Sequence, residues 1–243
     1  MAPLTRGRAA AEAPTLLDAL ARAPAAVALV VAALGRADRQ ALRLAHPQLR
    51  KAVDGEKTRL RFDIPAGSAA RPPTARRWPR LKSLSTANPD LAAVEALGAG
   101  VWCALRSLSL HWTGGHTHNL DVPFARALAA ALRRMPALCE LSLGGVDISD
   151  ASAAELFRPE TAHRLEELTV WGAGLTSVAL CMLAASGWPL QALDLRLEIA
   201  AVAGLAALAA VPTFVLRCLL LSGCVLDAAS LLGLANAPCL CWS

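Results

Sequence analysis

The sequence contains no tyrosine and few other aromatic residues, with four phenylalanines and six tryptophans among 243 residues. Charged residues are also few, at 18%, whereas hydrophobic residues make up 55% and the mean hydropathy is +0.43. A chain this apolar can bury enough surface to fold, which excludes disorder as its main state. Because large aromatic side chains are scarce, the core must consist of many small contacts between leucine and alanine side chains.

Uncharged apolar segments are short or contain proline. The run over residues 23–35 contains Pro24 and is too short to cross a membrane. It lies too far from Met1 for a signal peptide, which leaves an organelle transit peptide as the targeting alternative. The seven cysteines are an odd number in apolar sequence, as is typical of reduced thiols. We therefore predict a cytoplasmic or nuclear protein that does not enter a membrane.

The motifs of common catalytic sites are absent from the sequence, which has no phosphate-binding loop, nucleophile elbow or Cys-x-x-Cys pair. Glu166 and Glu167 are adjacent in a strand-like segment, so they would point to opposite faces and cannot act as an acid–base pair. His111, His116 and His118 have metal-like spacing, but we interpret them as polar residues of a surface loop. No enzyme activity, cofactor or metal is predicted.

The charge is distributed unevenly along the chain. Residues 1–82 carry 16 basic and 6 acidic residues, whereas the remainder carries 8 basic and 13 acidic ones. The chain therefore has a basic N-terminal third and an acidic remainder. The arginines are spread out instead of forming a dense block, so this distribution does not favour nucleic-acid binding.

A six-residue pattern, Leu-x-x-Leu-x-Leu or a close variant, returns every 24 to 33 residues. Its copies begin at Leu81, Leu105, Leu138, Leu165, Leu190, Leu216 and Leu240, and a degenerate copy precedes them at Leu60 and Phe62. In most copies the last two apolar residues lie two apart and face the same side of a short strand. One strand cannot bury this row alone, so the strands must stack in a parallel sheet.

The segments between the strands favour helices that pack outside the sheet. We predict them over residues 121–134, 150–162, 176–185, 199–210 and 227–235, with Asp150, Thr176 and Asp227 as N-caps. Together with the strands, these helices predict an α/β fold.

The pattern resembles the leucine-rich repeats of ribonuclease-inhibitor-like proteins over residues 57–243. Its fullest copy comprises Leu216, Leu219, Leu221, Cys224 and Leu226, with the cysteine at a loop position where this family often has asparagine or cysteine. The resemblance implies a solenoid with a concave parallel sheet and outer helices. Because the pattern stops one strand into its last copy, we expect the solenoid to be truncated at its C-terminal end.

The N-terminal third is predicted to be disordered over residues 1–12 and to form an all-α cap over residues 13–56. One segment of this cap resembles the second half of an F-box. It contains Leu34, Asp38, Leu42, Leu44, Leu49 and Val53. That resemblance implies docking onto a Skp1-like adaptor of a cullin-type ubiquitin ligase. The alternative is that these helices only cover the apolar end of the solenoid, as repeat arrays require. Residues 63–80, which are rich in proline and arginine, are interpreted as a solvated connector.

Protein binding is the activity that the sequence favours, because the solvent-facing positions of a solenoid's strands form an array on one surface. The predicted binding residues on the concave face are His111, Glu140, Glu167, Thr169, Trp171, Asp194 and Arg196. Exposed tryptophan and arginine are typical binding anchors. The alternative is that Trp171 folds onto its neighbours and that the acidic residues form a solvated strip.

These expectations combine into one leading hypothesis. It describes a substrate-recognition subunit of a cullin-type ubiquitin ligase, whose N-terminal helices hold the ligase while its concave face holds a target protein. The alternative keeps the solenoid without the ligase, as a scaffold in signalling or in a cytoskeletal assembly such as the ciliary axoneme.

Overall fold

The computed structural model describes residues 58–63, 75–76, 78–113, 117–162, 164–172, 174–197 and 216–222. The chain divides into two units, Met1–Glu56 and Lys57–Ser243, and every described residue belongs to the second. Several predictions therefore fall outside the described residues: the helical cap with Leu34, Asp38, Leu42, Leu44, Leu49 and Val53, the helices over 199–210 and 227–235, and the loop residues Cys224 and Leu226.

Within the described ranges the chain alternates between strands and helices. The strands are β1 (Arg59–Asp63), β2 (Ser83–Ala87), β3 (Ser107–His111), β4 (His118–Leu120), β5 (Glu140–Gly144), β6 (Val146–Ile148), β7 (Glu167–Gly172), β8 (Gly174–Leu175), β9 (Ala192–Leu197) and β10 (Cys218–Ser222). The helices are α1 (Leu91–Gly98), α2 (Val122–Leu132), α3 (Asp150–Leu156) and α4 (Ser177–Ala185).

Seven of the strands form one open parallel sheet in the order β1-β2-β3-β5-β7-β9-β10. Each neighbouring pair is parallel, and strands that follow one another in the leucine pattern are neighbours in the sheet. The predicted α/β class is confirmed, and so are the predicted strand positions except the last one, at Leu240, which lies outside the described residues.

The register places equivalent apolar residues of successive strands side by side. The first buried row comprises Leu84, Leu108, Leu141, Leu168 and Leu193, none more than 2% exposed. The second comprises Thr86, Leu110, Leu143, Val170 and Leu195. A one-residue slip of any strand would turn its leucines to solvent, so burial of these rows fixes the register.

The four helices pack on the leucine face, each against the next along the chain. Buried helical residues such as Leu128, Leu156 and Leu183 belong to the same core cluster as the strand leucines. This helical layer leaves the other face of the sheet as the surface on which polar side chains can lie.

The described helices begin after short polar N-cap residues, as predicted, but one of the predicted caps is wrong. Thr176 caps α4 and accepts a hydrogen bond from the Ala179 N–H at 3.0 Å. The predicted cap Asp150 is wrong, because Ser149 has the extended backbone of an N-cap and Asp150 is the first helical residue. There the Asp150 carboxylate accepts a hydrogen bond from the Thr176 hydroxyl, which joins the starts of two neighbouring helices.

A second, three-stranded parallel ladder of β4, β6 and β8 forms where the chain leaves the main sheet towards the helices. The sequence analysis did not predict it. Gly145 and Gly172 make the turns into β6 and β8 with φ of +72° and +141°. In both positions a side chain would collide with a neighbouring backbone carbonyl, so glycine is required there.

Candidate binding face

The residues that alternate with the buried rows form three further rows on the opposite side of the seven-stranded sheet, which we call the open face. They are Arg59, Ser83, Ser107, Glu140, Glu167, Ala192 and Cys218 in the first row; Arg61, Ser85, Ser109, Ser142, Thr169, Asp194 and Leu220 in the second; and Ala87, His111, Gly144, Trp171, Arg196 and Ser222 in the third. All seven predicted binding residues lie on this face.

Charge changes sign across the open face. The first strand contributes Arg59 and Arg61, whereas the following strands contribute serine hydroxyls. On the central strands Glu140 and Glu167 are direct neighbours, and both are exposed. Parallel strands lie about 4.8 Å apart, and like charges directly opposite each other are destabilising. The pair of glutamates therefore forms a surface that favours a bound cation.

Trp171 is the aromatic residue of this face. It is 38% exposed, and its indole lies over Gly144 on the neighbouring strand, where any Cβ would overlap the ring. The glycine thus provides a flat platform that holds the indole against the sheet while leaving part of it open to solvent. The predicted alternative of Trp171 folded onto its neighbours is correct in part, because the ring is packed and exposed at once.

Arg196 lies beside Trp171 in the register, on β9. Its guanidinium pairs with the Asp194 carboxylate on the same strand at 3.0 Å, and the hydrogen bond raises the pKa of Arg196. Because Asp194 already has this cationic partner, it contributes less negative charge to the face than the sequence suggested. The acidic surface is centred on Glu140 and Glu167.

Leu220 adds an apolar side chain that the sequence analysis did not select as a binding residue. It is 52% exposed on β10 and neighbours Asp194 in the register. The signal was present in the sequence, because an apolar residue there occupies a position that alternates with the buried leucines. Trp171 and Leu220 thus provide two exposed apolar groups on the last strands of the described sheet.

The thiol of Cys139 reports the electrostatics at the edge of this acidic surface. Its pKa is raised by partial burial, and next by the negative charges of Glu140 and Glu166. The Sγ atom also lies 3.4 Å from the Arg106 carbonyl oxygen. Cys139 is therefore a natural probe of the charge on the neighbouring glutamates.

The two described histidines of the predicted cluster, His111 and His118, have different surroundings. His118 stacks on Trp112 with the ring centroids 4.9 Å apart, whereas His111 lies on the open face. His116 lies outside the described residues, and the rest of the described chain shows no cluster of histidine, cysteine and carboxylate side chains suited to a metal. None of the described helices has the length and hydropathy needed to cross a membrane.

The prediction of a solvated connector over residues 63–80 is wrong at Trp78. Trp78 is 8% exposed and belongs to the leucine core, so it is not a solvated residue. Its large apolar surface explains this position, since burying an indole removes a large apolar area from water.

The sequence matches no protein-family profile, and no curated protein is similar to it at a significant level.

Proposed function

We propose that this chain is a leucine-rich-repeat protein of the ribonuclease-inhibitor-like kind, and that its open face binds a protein partner. Support comes from the strand spacing, from a register that aligns the leucines of the seven strands in the main sheet, and from helices that pack on the leucine face. In such a solenoid the open face would be the concave surface.

The observation that carries the binding proposal is the position of Trp171. An indole that is held flat on glycine and is 38% exposed has little conformational freedom to lose when a partner covers it. Tryptophan and arginine are among the residues most enriched at binding hot spots, and Arg196 is the register neighbour of Trp171 on β9. The same face supplies a second apolar group, Leu220.

The chemistry of the face defines the partner segment. The glutamate pair favours a lysine or arginine, whereas Trp171 favours an apolar side chain. Glu167 and Trp171 are four residues apart on β7, which is about 13 Å along a strand. An extended partner segment running along β7 would therefore carry its basic and apolar residues about four positions apart.

The test is a selection of random peptides displayed on phage against the full chain. We expect enriched peptides to share a basic residue and an apolar residue three to five positions apart. Binding of an enriched peptide should weaken about threefold to tenfold in Glu167→Gln and should weaken further at high salt. Glu95→Gln, an exposed glutamate on α1, is the matched control and should leave binding unchanged. Enrichment of acidic peptides, or equal loss in both variants, would contradict the proposal.

At the cellular level we propose that this binding selects targets for a cullin-type ubiquitin ligase, with the F-box-like segment docking onto a Skp1-like adaptor. The support for this step is the sequence resemblance of residues 34–53 alone. The full chain should co-purify with the adaptor, and Leu42→Lys should abolish that association while leaving peptide binding intact. Peptide binding without any adaptor association is what the alternative predicts, in which the chain is a scaffold in signalling or in a ciliary axoneme.

A further inference from the structure

A cavity of about 370 Å³ lies away from the open face, at the edge where the chain passes from helices to strands. It is lined by the residues that lead from α2 into β5 and from α3 into β7, together with Cys103 ahead of β3. Its volume is within the range of cavities that hold small molecules. None of the open-face residues lines it, so it is a second and separate site.

The wall of the cavity is mainly apolar. Leu132, Met135 and Leu138 line it, and each of them is at most 4% exposed as part of the core. A ligand that fills the space would therefore gain from placing hydrocarbon against these side chains.

One polar group in the wall has no partner. Thr161 is fully buried, and its hydroxyl makes no hydrogen bond to any described residue. Leaving a buried hydroxyl without a partner is costly, so such groups require an explanation. A ligand oxygen in the cavity would supply the missing hydrogen bond.

Two arginines line the same cavity, Arg133 and Arg164. Arg133 has a weak partner in Glu160, at 4.0 Å between solvent-accessible side chains, and Arg164 forms no ion pair with a described carboxylate. The last carbonyl groups of α2 already accept hydrogen bonds from the backbone N–H groups of Arg133, Arg134 and Met135. These carbonyl groups therefore do not need an arginine side chain as a donor. The positive charge is therefore available for an anion.

We propose that this cavity binds the carboxylate of a small, mainly apolar ligand. The hydrocarbon part contacts Leu132, Met135 and Leu138, the carboxylate pairs with Arg164 and Arg133, and one ligand oxygen accepts the hydrogen bond of Thr161. Arginine is suited to this role because its fork of N–H donors matches a carboxylate. The carboxylate can belong to a free short-chain acid or to the C-terminus of a peptide that ends in an apolar residue.

Cys103 provides the assay, because this exposed thiol lines the cavity. The full-length protein is alkylated with iodoacetamide, and the rate at Cys103 is read from its peptide by mass spectrometry. Cys181, an exposed thiol on α4, is the internal control. Octanoate should slow alkylation of Cys103 at least fivefold at saturation and leave Cys181 unchanged. Octylamine and octanol should give no comparable protection. Protection by octanol equal to that by octanoate would overturn the proposal, as would protection of both thiols.

The source of the carboxylate is distinguished with a second probe, N-acetyl-Ala-Leu with a free C-terminus, compared with its amide. Stronger protection by the free peptide than by octanoate identifies a chain terminus, and the reverse order identifies a free acid. If neither carboxylate protects Cys103, the proposal is wrong.

Variants separate binding from folding. Arg164→Gln should weaken octanoate binding about tenfold, whereas Arg126→Gln, an exposed arginine of α2 outside the cavity, should have no effect. Thr161→Val removes a hydroxyl that has no partner in the free protein, so it should leave the melting temperature unchanged or raised while weakening octanoate binding. Equal binding in the Thr161→Val and Arg164→Gln variants and in the unaltered protein would contradict the assigned contacts.

Discussion

Gly144→Ala tests whether Trp171 is held on the sheet by the glycine beneath it. The backbone at Gly144 lies outside the left-handed region, so alanine is compatible with it and should by itself stabilise the strand by about 0.4–1 kcal/mol. The new methyl group, however, occupies the space of the indole. Trp171 must move, and its displacement opposes that gain.

The size of the effect follows from the exposure of the indole. Trp171 is 38% exposed, so the buried part of its side chain amounts to about 150 Å², or about 3–4 kcal/mol of burial free energy. A ring displaced by one methyl group keeps most of these contacts and loses about a third of them, or about 1 kcal/mol. Gly144→Ala should therefore be near neutral with Trp171 present and stabilising in a Trp171→Ala background.

A double-mutant cycle in urea, followed by circular dichroism, measures this difference directly. We expect a coupling free energy of about 1 kcal/mol between positions 144 and 171, which exceeds the usual additivity error of about 0.3–0.5 kcal/mol. The reasoning is refuted if Gly144→Ala changes the free energy of unfolding equally in both backgrounds, because the two residues would then not be in contact.

Three further predictions concern the core, the turns and the electrostatics. Leu141→Ala empties a position that is 2% exposed and should lower the free energy of unfolding by about 2–5 kcal/mol in urea titrations. Gly145→Ala should destabilise more than Gly187→Ala in the same assay, because both have positive φ but only Gly145 would also collide with a backbone carbonyl; equal losses would contradict this. Glu140→Gln should lower the pKa of Cys139 in the pH profile of its alkylation, because a negative charge that opposes the thiolate is removed; an unchanged profile would show that Glu140 does not contribute to the raised pKa.

The strands and their alignment could be predicted because each depends on a local pattern that recurs. Leu108 and Leu110 are two apart, as are Leu141 and Leu143, and only parallel stacking in one register buries both pairs. Side-chain alternation then determines which residues face outward, which is why Trp171 and Arg196 could be placed side by side from the sequence.

Features that depend on contacts between distant segments could not be predicted in this way. The loop polar residue of the first described copy is Asn88, whose side chain accepts a hydrogen bond from the Thr113 N–H at 2.8 Å, across 25 residues. Helix α1 was missed as well, although Asp90 caps it and accepts from the Ala93 N–H; its alanine-rich sequence has little amphipathic contrast.

The open face illustrates the same limit. The sequence identified Asp194 as an acidic binding residue, but it could not show that Arg196 pairs with it. The cavity beside Arg164 was also invisible to the sequence analysis, because its wall comes from segments that become neighbours only when β5 and β7 pair. The signal available in the sequence was the presence of cationic residues in the helix-to-strand connections.

The central claim is that the open face binds a protein segment through Trp171. Its most direct test is the dissociation constant of a selected peptide, measured by fluorescence anisotropy for the full chain and for two variants. Trp171→Ala should raise the dissociation constant about 10–30-fold, whereas Val178→Ala, which removes an apolar side chain that is 48% exposed on α4, should leave it unchanged. Equal affinity of Trp171→Ala and the unaltered protein, measured under conditions in which both are folded, would contradict the account.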